Sequence, residues 1–215
     1  MIETGAAATT VPGLWREATA LVLASTSATR RDLLASTGLP FETARPDVDE
    51  RAVEATALAG GAGPEALAVT LAREKALSVS AARPGALVIG ADQTLALERR
   101  LFHKPTSRAA AREQIAALAG RTHALHSGVA LARDGVVVTD FLASARLTMR
   151  PLDAAAIELY LALAGDAATT SVGGYQLEGV GAHLFARVEG DHSTILGLPV
   201  FPLLAALRDH GALSL

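Results

Sequence analysis

Asp92 closes an apolar run, 86-ALVIGAD-92, and is followed directly by Gln93. In α/β proteins ligands gather at the carboxyl ends of strands, and an acid there can bind a divalent metal or activate a water. The bland alternative is an aspartate in a turn. The chain has two lysines, Lys75 and Lys104, and its other basic residues, histidines apart, are arginines. Lys75 falls on one helical row with Leu71 and Val79, so it either snorkels or points at something specific. Lys104 precedes Pro105 on a rigid loop, where a compact ammonium suits a phosphate. In 24-ASTSATRR-31, Ser25 and Ser27 stand just before a helix whose first turn carries Arg30 and Arg31. A helix N-terminus attracts anions and disfavours cations, so arginines there make sense beside a bound anion or on a solvated face. The adjacent arginines point in different directions. Asp47, Asp49 and Glu50 are hard oxygen donors for magnesium or manganese, or else a solvated acidic turn.

Other chemistries are excluded. There is no cysteine, which removes disulfides, zinc-thiolate sites and thiol nucleophiles and points to a reducing cytoplasm. A net charge of −3 provides no general field for nucleic acid. No apolar run approaches the roughly 20 residues of a membrane span. The histidines show no metal-ligand spacing, and the glycines of 173-GGYQLEGVG-181 do not join a strand to a helix as a dinucleotide fingerprint does. Ser127-Gly128 lacks the spacing of a nucleophile elbow.

The elements that must hold these residues follow from pattern and punctuation. A strand is expected at 20–24, a helix over 28–36 capped by Ser27, and an extended piece at 41–45. Residues 55–63, ATALAGGAG, read as a flexible loop. Pro64 opens a helix to about 82. Strands follow at 86–89 and 94–97, then a helix capped by Thr106 or Ser107 and closed near Gly120. Residues 122–132 and 136–149 form a hairpin across Asp134-Gly135. Asp153 caps a helix to about 164, a strand covers 182–188, and Pro199 begins a last helix that Gly211 stops. The result is a mixed α/β fold. Residues 1–19 have acids, no basic start and no long apolar stretch, so they read as a loosely docked extension rather than a signal peptide. Residues 20–215 read as one domain.

The segments ASTSATRRDLL (24–34), PDVDE (46–50), LAREKA (71–76), GADQ (90–93), HKP (103–105), GRTHALHSGVAL (120–131), GGYQLEG (173–179) and EGDHSTILGLP (189–199) resemble, in this order, those of the Maf family. The resemblance spans about residues 20–210. It implies a nucleoside triphosphate pyrophosphatase: water attacks the α-phosphorus, and a nucleoside monophosphate and diphosphate leave. It implies a mixed sheet in two lobes with a nucleotide-binding cleft between them, a Maf/ITPase-like arrangement, in a homodimer. It implies a divalent cation, Mg2+, Mn2+ or Co2+. By motif position Asp92 is the proton acceptor or metal-organising acid, Ser25, Arg30, Lys75 and Lys104 hold phosphates, and Glu50 assists at the metal. Gln93 and Glu178 are similar to the branch acting on 7-methyl-GTP, whereas the pyrimidine-specific branch tends to have Asp-Thr after the strand and Gln in the loop. A carboxylate accepts from the N1–H and amine of guanine. Ala28 and Thr29 stand where the methylguanine branch often has proline and an aromatic able to stack on a cationic base. The alternatives are a dTTP/UTP-specific enzyme and a non-catalytic nucleotide-binding regulator of septum formation.

Overall fold

The computed structural model describes residues 13–215. Of the extension expected over 1–19, residues 1–12 lie outside the described part. Residues 13–19 run beside the C-terminus: Trp15 bridges Leu213, the Arg16 amide donates to the Ala212 carbonyl, and Leu14 and Trp15 cover apolar side chains.

One mixed sheet organises the chain. Its strands are β1 (Leu21–Ala24), β2 (Phe41–Ala44), β3 (Val88–Leu97), β4 (Arg100–Phe102), β5 (Thr122–Arg133), β6 (Val136–Met149) and β7 (Phe185–Glu189). The order is β2-β1-β3-β5-β6-β7, with β4 also paired to β3. β1 is parallel to β2 and β3, and every other pairing is antiparallel. The β5–β6 hairpin turns at Asp134 and Gly135, whose φ angles of 50° and 76° are those a tight two-residue turn requires.

The helices are α1 (Ala28–Ala35), α2 (Glu50–Ala59), α3 (Pro64–Ser80), α4 (Arg108–Leu118), α5 (Ala154–Ala164), α6 (Ala167–Thr170), α7 (His192–Ile195) and α8 (Val200–Asp209). α3 lies against one face of the sheet, and its closeness is set by small residues. A Cβ on Gly90 would stand 2.1 Å from the Ala72 carbonyl oxygen, and one on Gly128 would stand 2.4 Å from that of Ala68. Ala72 and Ala76 meet Ala130 and Ala132 in the same layer.

The opposite face carries two apolar clusters side by side. Ile89 and Ala91 of β3 and Val129 and Leu131 of β5 pack with Leu34 of α1 and Leu203 and Leu207 of α8. Leu95 and Leu97 of β3 and Leu125 of β5 pack instead with Ile115 of α4 and Leu161 of α5. Between the clusters, on the same face by alternation, lie Gln93 and its cross-strand partner Ser127. The two lobes are thus two cores on one sheet with a polar seam between them.

Three local expectations are corrected. Residues 50–59 are helical rather than a loop beginning at 55, because Asp49 caps the Ala52 amide and the alanine-rich run favours helix until Gly60 and Gly61. The strands expected at 86–89 and 94–97 are a single strand, so Asp92 stands inside β3 rather than at its end. Residues 180–184 form a 3-10 turn, and β7 begins only at Phe185.

Candidate active site

Pairing of β3 with β1 stops at Ala24 opposite Gly90, and pairing with β4 starts at Leu95 opposite Phe102. Residues 91–94 therefore have β5 on one side and no strand on the other. The gap explains why an acid buried inside a strand is still reachable: Asp92 lies at the carboxyl end of β1, its neighbour, instead of its own. A cavity of about 730 Å³ opens there, and Ser25, Thr29, Arg30, Glu50, Lys75, Asp92, Gln93, Lys104 and Glu178 all line it.

Lys75 projects from α3 into the gap. Its Nζ lies 2.6 Å from Asp92 Oδ1 and 2.9 Å from Glu50 Oε1. Its side chain is 8% exposed and that of Asp92 is 11%, so the contact is shielded, whereas Glu50 is half exposed. Of the two readings of Lys75, the pointing one holds. The ammonium thus bridges one oxygen of each carboxylate.

The β1–α1 turn forms the adjoining wall. Ser25 Oγ accepts from the Ser27 amide at 3.2 Å, and Ser27 Oγ accepts from the Arg30 amide at 3.4 Å, capping α1. Arg30 is partly buried and its Nε donates to the Gly197 carbonyl at 2.8 Å. Burial lowers its pKa, while Asp92 and Glu50 pull it back up. Arg31 is exposed, pairs with Asp32, and takes no part in the cavity wall. Lys104, on the loop between β4 and α4, makes no ion pair with any described residue.

Gln93 leaves the other face of β3. Its Nε2 donates to Ser127 Oγ and to the carbonyls of Thr194 and Ile195, each at 3.0 Å. Two carbonyl acceptors fix the amide orientation, so what remains for a ligand is the acceptor Oε1. Glu178 stands on the segment after the glycines. That segment is pinned from behind: Tyr160 donates to the Gly174 carbonyl at 2.9 Å, and Tyr175 hydroxyl meets His123 Nε2 at 2.7 Å. Burial pushes the His123 pKa down to about 4.

Sequence reasoning missed Glu54 and His103, which line the cavity and meet at 3.4 Å. Glu54 follows Glu50 by one helical turn, a signal hidden when 55–63 is read as a loop. Asp49 serves as a helix cap, and neither it nor Asp47 lines the cavity. Among the described residues no three His, Asp or Glu side chains converge as a metal cage. Two carboxylates brought to one point do suit a magnesium-type ion, which completes its shell with water and substrate phosphate.

The family model for Maf-like proteins matches residues 20–210. A nucleoside triphosphate pyrophosphatase of Nitrobacter winogradskyi is 55% identical over 202 residues, 94% of this chain and 99% of the relative. One of Bradyrhizobium diazoefficiens is 55% identical over 196 residues, 91% of this chain and 96% of the relative. A 7-methyl-GTP pyrophosphatase of Rhizobium johnstonii is 52% identical over 194 residues, 90% of this chain and 98% of the relative.

Proposed function

The chain belongs to the Maf family, and from that premise we propose that it is a nucleoside triphosphate pyrophosphatase acting on guanine-type nucleotides, with 7-methyl-GTP among them. The observation that carries the reading is Lys75 held between Asp92 and Glu50 in a cavity that also presents Arg30 and Lys104. Acids and cations so interleaved suit a phosphoanhydride rather than a neutral substrate.

Arg30, Lys75 and Lys104 bind and orient the triphosphate, with Ser25 at the helix N-terminus beside them. Asp92 Oδ2, the oxygen that Lys75 leaves free, orients the attacking water and accepts its proton. Water oxygen bonds to the α-phosphorus, the bridging bond to the β-phosphate breaks, and fixed cations stabilise charge building on the departing diphosphate. Glu50 and Asp92 are the residues that would hold a divalent metal, which neutralises phosphate charge when bound. Gln93 Oε1 and the Glu178 carboxylate are both acceptors, and guanine offers two adjacent donors, N1–H and the 2-amino group. Uracil and thymine offer one donor between two carbonyls. The same family reading carries a homodimer and a cytoplasmic setting. No helix among the described residues is long and apolar enough to cross a membrane.

Diphosphate release from a panel of GTP, 7-methyl-GTP, dTTP and UTP, with magnesium, manganese or cobalt, tests this function. Guanine nucleotides are expected to lead. A preference for dTTP would overturn the base assignment, and nucleotide binding without release would favour the regulatory alternative. Sedimentation velocity tests the dimer.

A further inference from the structure

Lys75 occupies the place a metal would need. Its ammonium touches one oxygen of Asp92, from β3, and one of Glu50, from α2, at 2.6 Å and 2.9 Å. Those distances are ordinary for an ammonium between carboxylates. A magnesium-type ion held between these two carboxylates would need oxygens at about 2.0–2.1 Å and would tolerate no cation between them. One cation or the other can sit there.

The backbone that carries Lys75 is closely packed on the sheet. α3 is locked to the sheet where a Cβ on Gly90 would stand 2.1 Å from the Ala72 carbonyl oxygen and 2.6 Å from the Ala76 amide nitrogen. Lys75 lies between those two positions on the same helix. It can leave only by rotating its unbranched stem, and a shielded ammonium that leaves two carboxylates needs another anion to meet.

We infer that Lys75 is a resident stand-in for the metal, which bars the free ion and gives way when metal and triphosphate arrive together. The phosphates supply the anion that receives the displaced ammonium, alongside Arg30 and Lys104 on the cavity wall. Without ligand, Lys75 offsets the charge of the two acids. With ligand, the same side chain becomes a phosphate contact. The inference rests on the pyrophosphatase reading and adds an order of binding to it.

The direct measurement is Mn2+ affinity without nucleotide, followed by electron paramagnetic resonance on folded protein. Removing the stand-in should matter more than removing a charge elsewhere in the cavity. Lys75→Met is expected to bind Mn2+ at least about tenfold more tightly than wild type, and Lys104→Met to differ from wild type by less than about threefold. Unchanged or weaker binding in Lys75→Met, or equal tightening in Lys104→Met, overturns the inference.

Should Lys75→Met fail to fold, wild type answers through its side chains. With two lysines in the chain, 15N-lysine labelling gives two ammonium signals. The Lys75 protons are expected to be protected from solvent, to stay so in millimolar Mg2+, and to shift only when Mg2+ and an α,β-methylene triphosphate are both present. A Lys75 signal that moves with Mg2+ alone, or does not move with both, overturns the inference. Diphosphate release by wild type reports separately on the pyrophosphatase reading, so the two failures are distinguishable.

Discussion

Asp92 and Gln93 are neighbours on β3 whose side chains leave opposite faces of the sheet, yet both open into one cavity. Alternation along a strand would ordinarily part them. The gap between β1 and β4 lets the cavity wrap around the unpaired side of residues 91–94, so the acid reaches it beside α3 and the amide reaches it beside α7. In the function proposed above, the acid and the base-reading amide would thereby be fixed to one rigid strand, which would set the distance between the reacting phosphate and the base.

The first prediction concerns the acid. Asp92→Asn keeps an oxygen for Lys75 but removes the proposed proton acceptor and one charge proposed to hold the metal. Turnover is expected to fall by about 10²- to 10⁴-fold, the usual contribution of a positioned acid or base. Circular dichroism should show a folded protein, because Glu50 still pairs with Lys75. Full turnover in the steady-state diphosphate assay would refute the role given to Asp92.

The second concerns the layer that places Lys75. In Gly90→Ala the new methyl meets the Ala72 carbonyl, the Ala76 amide and the Ala76 side chain at 2.1, 2.6 and 2.9 Å, so α3 must move off the sheet. Overpacking against backbone is expected to cost about 3 kcal/mol or more, read as a lower urea midpoint with an unchanged slope. Gly211→Ala is the contrast: a Cβ there meets no atom within 4 Å, and only the strain of a φ of +73° remains.

These contacts show which parts of the protein were legible beforehand. Strand and helix identities follow from apolar runs, caps and the Asp134-Gly135 turn, all local signals. Gly90 and Gly128 looked unremarkable because their purpose is a helix from another part of the chain. The uniformly apolar α3 showed no polar face for a related reason: its alanines pack on the sheet. Lys75 could be singled out as one of two lysines, but its partners could not, since Glu50 and Asp92 are brought to it by α2 and β3. The motif resemblance selected the cavity residues together. It gave no reason for an acid in mid-strand, which only the strand pairing supplies. Glu54 carried no signal once the run 55–63, which continues its helix, was read as loop, and His103, although part of the HKP segment, gave no sign of a partner.

A third prediction is a pH dependence of stability. His123 is buried, its Nε2 meets Tyr175, and its Nδ1 has no partner among the described residues. Burial lowers its pKa to about 4, against about 6.5 when unfolded, so between those values the unfolded chain binds the proton and the native one does not. Its contribution is therefore complete above pH 6.5 and is lost as pH falls toward 4, by about 3 kcal/mol in all. Urea melts at pH 7 and pH 5 should show this decline, and His123→Asn should flatten it. An equally steep decline in the variant would place the titration elsewhere.

The fourth tests where the base lies. Thr29, Glu178 and Leu196 line the main cavity and also a smaller one of about 340 Å³ completed by Asp32, Leu33 and Ser36. An aromatic ring at position 29 would stand between them, beside the carboxylate assigned to the base. A 7-methylated guanine is cationic, and a ring face attracts a cation by about 0.5–1 kcal/mol at exposed sites and more when water is excluded. Thr29→Trp is therefore expected to raise kcat/KM for 7-methyl-GTP relative to GTP by about threefold to tenfold, mainly through KM. An equal gain for both nucleotides would mean plain stacking, without recognition of charge. A loss for both would mean that the base does not lie against α1, and that Gln93 and Glu178 read some other group of the substrate.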